Sequence, residues 1–269
     1  MFFLDSPGHL LYIETVPTEN KKKKRGPWLI IGAALLTLAM LGGLLFWASL
    51  PSVSWLIKEN PQQTAMMRFR AEKAGKKLSP SRRLSKYVPL SRISPFLIQA
   101  VLIAEDDKFF EHEGFDWDSM RQALDANMNK KRVLRGGSTI TQQLAKNLFL
   151  SSEKSLWRKL REAAIAIKLE RQLSKKRILE LYLNIIDWGP GIYGAENASR
   201  SNFNCPASAL TLSQAIRLAS IVPNPHRFSA LSTSNARMNR KRKIIAKRML
   251  RRHWITPEAY GQALAEMGL

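Results

Sequence analysis

A chain of 269 residues with 43 Lys+Arg against 21 Asp+Glu carries a formal charge of +22, which is long enough for one good-sized core and too basic to be indifferent to anions. The single Cys205 excludes an internal disulfide and a thiolate zinc cluster, and four histidines at 9, 112, 226 and 253 argue against a His-based metal centre. The charge is not confined to one run, because residues 52–269 alone hold 38 Lys+Arg and 18 Asp+Glu, so the body of the protein itself suits an anionic partner: nucleic acid, acidic lipid or a phosphorylated substrate.

Residues 1–27 form an N-terminal segment that ends in the cluster Lys21-Lys22-Lys23-Lys24-Arg25, and an uncharged run from Trp28 to Leu50 follows. As a helix this run spans about 35 Å, enough for a ~30 Å hydrocarbon core. Trp28 and Trp47 suit the two interfacial belts, and the basic cluster predicts a cytoplasmic N-terminus, with everything after Pro51 outside the cytoplasm. A cleaved signal peptide is the rival reading; the apolar run exceeds the usual ~7–15 residue core of one. A basic domain at the outer face of an inner membrane meets anionic lipids and lipid-linked phosphates, so no nucleic-acid partner is expected.

Residues 51–90 read as a polar, basic connector with prolines at 61, 80 and 89 and one helix near Thr64 to Ala74. The remainder, 91–269, reads as a single mainly α domain. Ser94 and Pro95 open a helix whose positions Ile98, Val101, Leu102 and Glu105 follow the helical repeat, which turns the Glu105 carboxylate toward the core. Trp117 to Met128 is the next helix, and residues 129–135 form a basic interval. Gly136-Gly137 then leads into a helix from Thr139 to Leu150, and Ser155 opens a longer one with Leu156, Leu160, Ala163 and Ile167 as its apolar stripe. Ser174 caps a helix with the stripe Ile178, Leu181, Tyr182 and Ile185; Trp188 to Gly194 is a loop; Thr211 and Gln214 form a capping box; Arg237 to Trp254 is a strongly basic helix; and Thr256-Pro257 starts the last one. No period-2 pattern of any length predicts a strand.

Two blocks carry chemistry. Seven of the eighteen acids beyond the apolar run fall between 105 and 118, a concentration of like charge that is tolerated where acid–base work is done. Burial would raise the Glu105 pKa into the range of a general base, although a buried Glu neutralised by a nearby Arg fits the position as well. Asp106 suits support of a helix start, Phe109 a wall, and His112 either a second proton carrier or a shaper of the turn at Gly114. In the second block, Gly136-Gly137 before Ser138 permits φ > 0 and close backbone approach, and the following helix start offers free N–H groups to an anion. Thr139, Gln143 and Lys146 then line one helical face with a hydroxyl, an amide and an ammonium. Arg158, Lys159 and Glu162 repeat the theme on the next helix, where a plain i, i+4 ion pair is the bland alternative.

At these residues the chain resembles the peptidoglycan glycosyltransferases, the polymerising half of class A penicillin-binding proteins, which also occur alone. The motifs stand here in order as Glu105-Asp106 with Phe109, His112 and Gly114; Gly137-Ser138-Thr139-Ile140-Thr141-Gln142-Gln143 with Lys146-Asn147; Arg158-Lys159 with Glu162; Arg177 to Asn184; and Arg217-Leu218-Ala219 leading to Pro223-Asn224-Pro225. Lys176 departs from the pattern. The resemblance implies a lysozyme-like α fold with a membrane-proximal jaw, and a monofunctional enzyme that polymerises lipid II in the bacterial inner membrane by inverting transfer of the lipid-linked MurNAc anomeric carbon to the GlcNAc 4-OH. It implies Glu105 as the base, Lys146, Arg158 and Lys159 as the cradle of the leaving undecaprenyl pyrophosphate, and Thr139, Gln143 and Asn184 as substrate-positioning groups. Glu162 is expected to orient the cations or to hold a divalent ion, Mg or Mn; no organic cofactor is implied. Expected partners are lipid II, the growing lipid-linked glycan, anionic membrane lipids and other cell-wall synthesis proteins. A lytic enzyme of lysozyme type and a non-enzymatic, membrane-anchored basic module are the competing classes; the first needs no row of cations for a pyrophosphate, and the second explains the charge but leaves the acid knot and the Gly-Gly-Ser-Thr turn without purpose.

Overall fold

The computed structural model describes residues 26–73, 75, 86–129, 137–151 and 155–269. The lysine cluster 21–25, Ala74, the basic interval 130–135 and Gly136 lie outside the described residues. The chain divides into two units, Met1–Ala48 and Ser49–Leu269.

In the first unit, α1 runs Gly26–Ala48. Its window from Trp28 to Ala48 is long and apolar enough to cross a membrane, with a mean hydropathy of 2.4, and none of it is buried. An apolar helix that the protein does not cover is unfavourable in water, and insertion into lipid removes that penalty.

The second unit is mainly helical: α2 Ala65–Lys73, α3 Pro95–Glu105, α4 Trp117–Asn129, α5 Ile140–Phe149, α6 Leu156–Gln172, α7 Lys175–Ile185, α8 Ala195–Phe203, α9 Leu212–Ile221, α10 Ala236–Arg251 and α11 Pro257–Met267. The expected start signals are in place. Ser155, Ser174 and Thr256 each accept a backbone N–H of the helix they precede, and Thr211 with Gln214 forms a complete capping box. Ser94 precedes α3 without capping it; its hydroxyl donates instead to the Leu210 carbonyl at 2.9 Å and ties the helix start to the chain before α9. The predicted loop around Trp188 is a two-stranded antiparallel hairpin, β1 Asp187–Gly189 with β2 Ile192–Tyr193. Three and two residues are too few to show a period in the sequence.

Two groups of helices make the core. α3 packs on α9 and α10, with α11 behind them, and α5 packs on α2, α6 and α7. Leu97, Ala100 and Val101 of α3, Leu144 and Ala145 of α5, Ile165 and Leu169 of α6 and Leu181 and Tyr182 of α7 are fully buried, each large apolar side chain contributing about 1.5–3 kcal/mol. The supposed connector is partly core. Val53, Leu56 and Met67 are buried, and Arg177 of α7 donates to the Leu56 carbonyl at 2.9 Å and the Glu59 carbonyl at 2.8 Å. Arg177 makes tertiary structure of a stretch that is polar by composition.

One expected stripe faces the other way. On α6, Leu156 is 92% exposed and Leu160 is 50% exposed, while the buried side is Glu162, Ala164, Ile165, Ala166 and Leu169. The helical period is right and the face is opposite, because the inward side of the first two turns is occupied by charged groups.

Candidate active site

The site forms where the end of α3 meets the start of α5. α3 stops at Glu105, and Asp106 leaves the helix with φ −159°. The buried Asp106 carboxylate accepts the Ile140 N–H at 2.9 Å and faces His112 Nε2 at 3.0 Å. His112 Nδ1 accepts the Gly114 N–H at 3.2 Å, which assigns the ring proton to Nε2 and makes that nitrogen the donor to Asp106. Asp106 therefore caps α5, and His112 shapes the turn at Gly114. Gly114 itself has φ +87°, and an added Cβ would meet Glu170 Cγ at 3.1 Å, so both backbone and space require glycine there. Phe109 is buried, edge-on to the His112 ring with centroids 6.3 Å apart and covered by the Lys175 ammonium at 4.5 Å.

The N-terminus of α5 is satisfied by protein groups, contrary to the anion cradle expected there. Thr139 is a buried N-cap: its hydroxyl donates to the Gly114 carbonyl at 2.7 Å and accepts the Gln142 N–H at 3.3 Å, and Gln142 Oε1 accepts the Thr139 N–H at 3.2 Å. The anion at the helix start is the Asp106 carboxylate. Gly137 lacks a positive φ among the described residues; what it supplies is close approach, since a Cβ would lie 3.3 Å from the Met120 Cα of α4.

Gln143 faces Glu105. Its Nε2 donates to Glu105 Oε2 at 3.0 Å, and its Oε1 accepts the buried Tyr182 hydroxyl at 2.9 Å. The amide is thereby fixed in orientation and aims one oxygen of the carboxylate. The other oxygen, Oε1, is buried with no hydrogen-bond partner, and the nearest cation is Lys241 Nζ of α10 at 4.0 Å. Burial raises the Glu105 pKa above its ordinary 4.5, opposed by Lys241, the Gln143 hydrogen bond and Lys146, while the Asp106 carboxylate adds to the rise. Burial also holds the Tyr182 hydroxyl well above 10, helped by Glu105 and Asp106, so it stays a neutral donor.

Beyond Glu105 lies a basic cluster. Lys146, half-buried on α5, has its pKa lowered by burial, countered by Glu162 and reinforced by Arg158, Lys159 and Arg70. No carboxylate lies within ion-pair distance of it among the described residues. Arg158 Nη1 donates to Glu162 Oε2 at 2.5 Å, the Lys159 ammonium donates to Glu162 Oε1, and Lys159 also reaches the Ser138 hydroxyl at 3.1 Å. Glu162 is 2% exposed and each of its oxygens accepts from one cation, so it orients Arg158 and Lys159. No group of three or more His, Cys, Asp or Glu side chains converges among the described residues. One carboxylate already occupied by two cations does not fit a divalent ion, which wants several oxygen ligands.

The structure thus brings together Glu105, Asp106, His112, Gly114, Thr139, Gln143 and Lys146, with Ser138, Arg158, Lys159 and Glu162 as the adjoining cluster. Asn184 stands apart from it. Its side chain is 3% exposed, donates to the Val88 and Glu180 carbonyls at 2.8 Å and accepts the Val88 N–H at 2.9 Å. Two of these bonds clip Val88 onto α7 and the third stays within the helix, so the side chain is held by protein groups. Thr139 and Gln143 are likewise committed, as cap and as carboxylate holder. Two contributors escape sequence reasoning. Tyr182 looks like an ordinary stripe residue, and Lys241 is one cation among many on a basic helix; the available signal was that Lys241 shares the inward spacing of Met238, Ile245 and Met249.

A family model described as Transglycosylase matches residues 72–250 of the chain. The chain is 43% identical over 223 residues to a protein of Laribacter hongkongensis (strain HLHK9) named biosynthetic peptidoglycan transglycosylase, covering 82% of this chain and 96% of that one. A protein of the same name from Azoarcus sp. (strain BH72) is 46% identical over 203 residues, 75% of this chain and 87% of the relative. A third, from Nitrosospira multiformis (strain ATCC 25196 / NCIMB 11849 / C 71), is 43% identical over 226 residues, 84% and 96% of the two chains.

Proposed function

The chain belongs to the transglycosylase family and is a peptidoglycan glycosyltransferase that polymerises glycan strands, and from that premise we propose how its residues divide the work on lipid II. The acceptor GlcNAc 4-OH gives its proton to Glu105 Oε1 as its oxygen attacks the anomeric carbon of the lipid-linked donor MurNAc. The bond from that carbon to the pyrophosphate oxygen breaks, its electron pair leaves with undecaprenyl pyrophosphate, and attack from the opposite face inverts α to β. Lys146, Arg158 and Lys159 take up the charge that grows on the leaving group, fixed cations in a partly buried site being stronger than cations in water. Glu162 holds Arg158 and Lys159 in place, and Asp106, His112, Gly114 and Thr139 hold α5 against the end of α3.

The observation that carries this reading is the state of the Glu105 carboxylate. One oxygen is fixed by Gln143 and the other is buried and free of hydrogen bonds, and desolvation raises its proton affinity. A general base needs that combination, held geometry and an open lone pair. Lys146 links the two halves, because it acts electrostatically on Glu105 and is acted on by Glu162, Arg158 and Lys159.

The apolar helix α1 supplies a membrane anchor. In this reading the N-terminus is cytoplasmic and the domain lies outside, where both lipid-tailed substrates are held in the same bilayer and the net charge of +22 favours anionic headgroups. The test is incubation of the purified chain with lipid-linked disaccharide pentapeptide. Long glycan chains from the wild type, and none from a folded Glu105→Gln variant, are expected; substantial polymer from that variant would overturn the assignment of the base.

A further inference from the structure

The buried oxygen of Glu105 has one cation aimed at it, and that cation comes from a part of the chain outside every motif that marks the site. Lys241 lies in the second turn of α10, on the side of the helix that turns inward with Met238, Arg242 and Ile245. Its side chain is 27% exposed, and Nζ stops 4.0 Å from Glu105 Oε1, beyond hydrogen-bond distance but close enough for strong Coulombic coupling. Both members pay for their burial in proton affinity: desolvation raises Glu105 and lowers Lys241, and their mutual attraction opposes each shift without cancelling it.

We propose that Lys241 is the positioning residue that keeps the Glu105 carboxylate ionised and its Oε1 open, so that the base is charged before the acceptor hydroxyl arrives. This rests on the reading of Glu105 as the base. The groups that face that carboxylate come from four elements. Asp106 follows it on its own strand of chain, Gln143 and Lys146 stand on α5, Tyr182 on α7 and Lys241 on α10; Arg237 also acts on Lys241 and disfavours its proton. Lys146 also favours the ionised Glu105, but less than Lys241 does, and Asp106 works against it. Lys241 is therefore the main cation that counters desolvation, and the 4.0 Å gap is what leaves Oε1 a free acceptor. A direct hydrogen bond from an ammonium there would occupy the lone pair needed for the proton.

The sign follows from the charge. Without Lys241 the carboxylate is harder to ionise, so the acid limb of the rate profile moves to higher pH. Replacing an opposite charge at this distance is expected to shift it by about one pH unit, so that activity below the limb falls roughly tenfold while the plateau above it changes less. The experiment is the pH dependence of kcat/KM for polymerisation by the full chain, for wild type, Lys241→Met, Lys241→Gln and Lys241→Arg, with Glu105→Gln alongside and folding followed by circular dichroism. An upward shift in a folded neutral variant, reversed in Lys241→Arg, supports the proposal. A raised KM with an unmoved acid limb overturns it and makes Lys241 a substrate contact. Loss of folding in both neutral variants with a normal Lys241→Arg also overturns it, because the lysine is then structural. Polymerisation by Glu105→Gln would instead remove the base assignment itself, an outcome distinct from an unmoved limb beside an inactive Glu105→Gln.

Discussion

Two carboxylates lie buried within the same site, and they are held in opposite ways. Glu162 on α6 accepts from Arg158 on one oxygen and from Lys159 on the other, which commits both sides of the group. Glu105 at the end of α3 accepts from one neutral amide, keeps one oxygen without a hydrogen bond and has its nearest ammonium 4.0 Å away. Both are Glu on helices and both are excluded from water. If Glu105 is the base, as proposed, the difference teaches that burial alone does not make one. What matters is how many lone pairs the surroundings leave free, and whether the compensating charge touches the group or stands off from it.

The same isosteric change should therefore have opposite effects on stability at the two positions. Glu162→Gln leaves Arg158 and Lys159 without their carboxylate in a partly buried site, and a destabilisation of about 3 kcal/mol is expected by denaturant unfolding. An unchanged unfolding midpoint would show the clamp to be loose. Next in size, Asn184→Ala removes the hydrogen bonds that clip residues 86–89 to α7, and a loss of about 2 kcal/mol is expected, with kcat/KM per folded molecule near wild type. A large loss of activity at normal stability would return Asn184 to the substrate-binding groups and blur the line between site and scaffold.

Smallest is Glu105→Gln, which should stabilise the protein. The folded-state pKa of Glu105 lies above its ordinary 4.5, so between those values the native protein binds more proton than the unfolded chain, and stability falls as pH rises through that window. The amide has no such penalty. Its advantage should grow above pH ~4.5 and level off above the raised value. A gain independent of pH would place its origin in packing. Together with loss of polymerisation, a pH-dependent gain would mark Glu105 as a residue kept at the expense of stability.

Much of the fold was legible because its signals are local. Caps at Ser155, Ser174, Thr211 and Thr256 and the stripe of α7 are written within a few residues of the helices they govern, and the apolar run of α1 needs only its length. Three things were not legible. The stripe on α6 has the right period, but spacing cannot say which face turns inward when the opposite face carries a charge cluster that another helix completes. The stretch 51–73 is polar on average, and partners far along the chain, α5 against α2 and Arg177 against residues 56 and 59, make part of the core from it. The groups at 139 and 143 share a helical face with Lys146, yet each is engaged by a partner from another element.

Composition, periodicity and motif order by themselves determined a mainly helical domain preceded by a long apolar helix, and a glycosyltransferase identity, because each of these is encoded in type and spacing along one stretch of chain. Tertiary structure decided which polar groups are free. Thr139, Asn184 and the start of α5 are occupied by protein, one oxygen of Glu105 is open, and Lys241 stands 4.0 Å from it. The reason is physical: whether a donor or acceptor is available depends on what lies within about 3 Å of it, and in a folded helical domain those neighbours come from segments far apart in sequence.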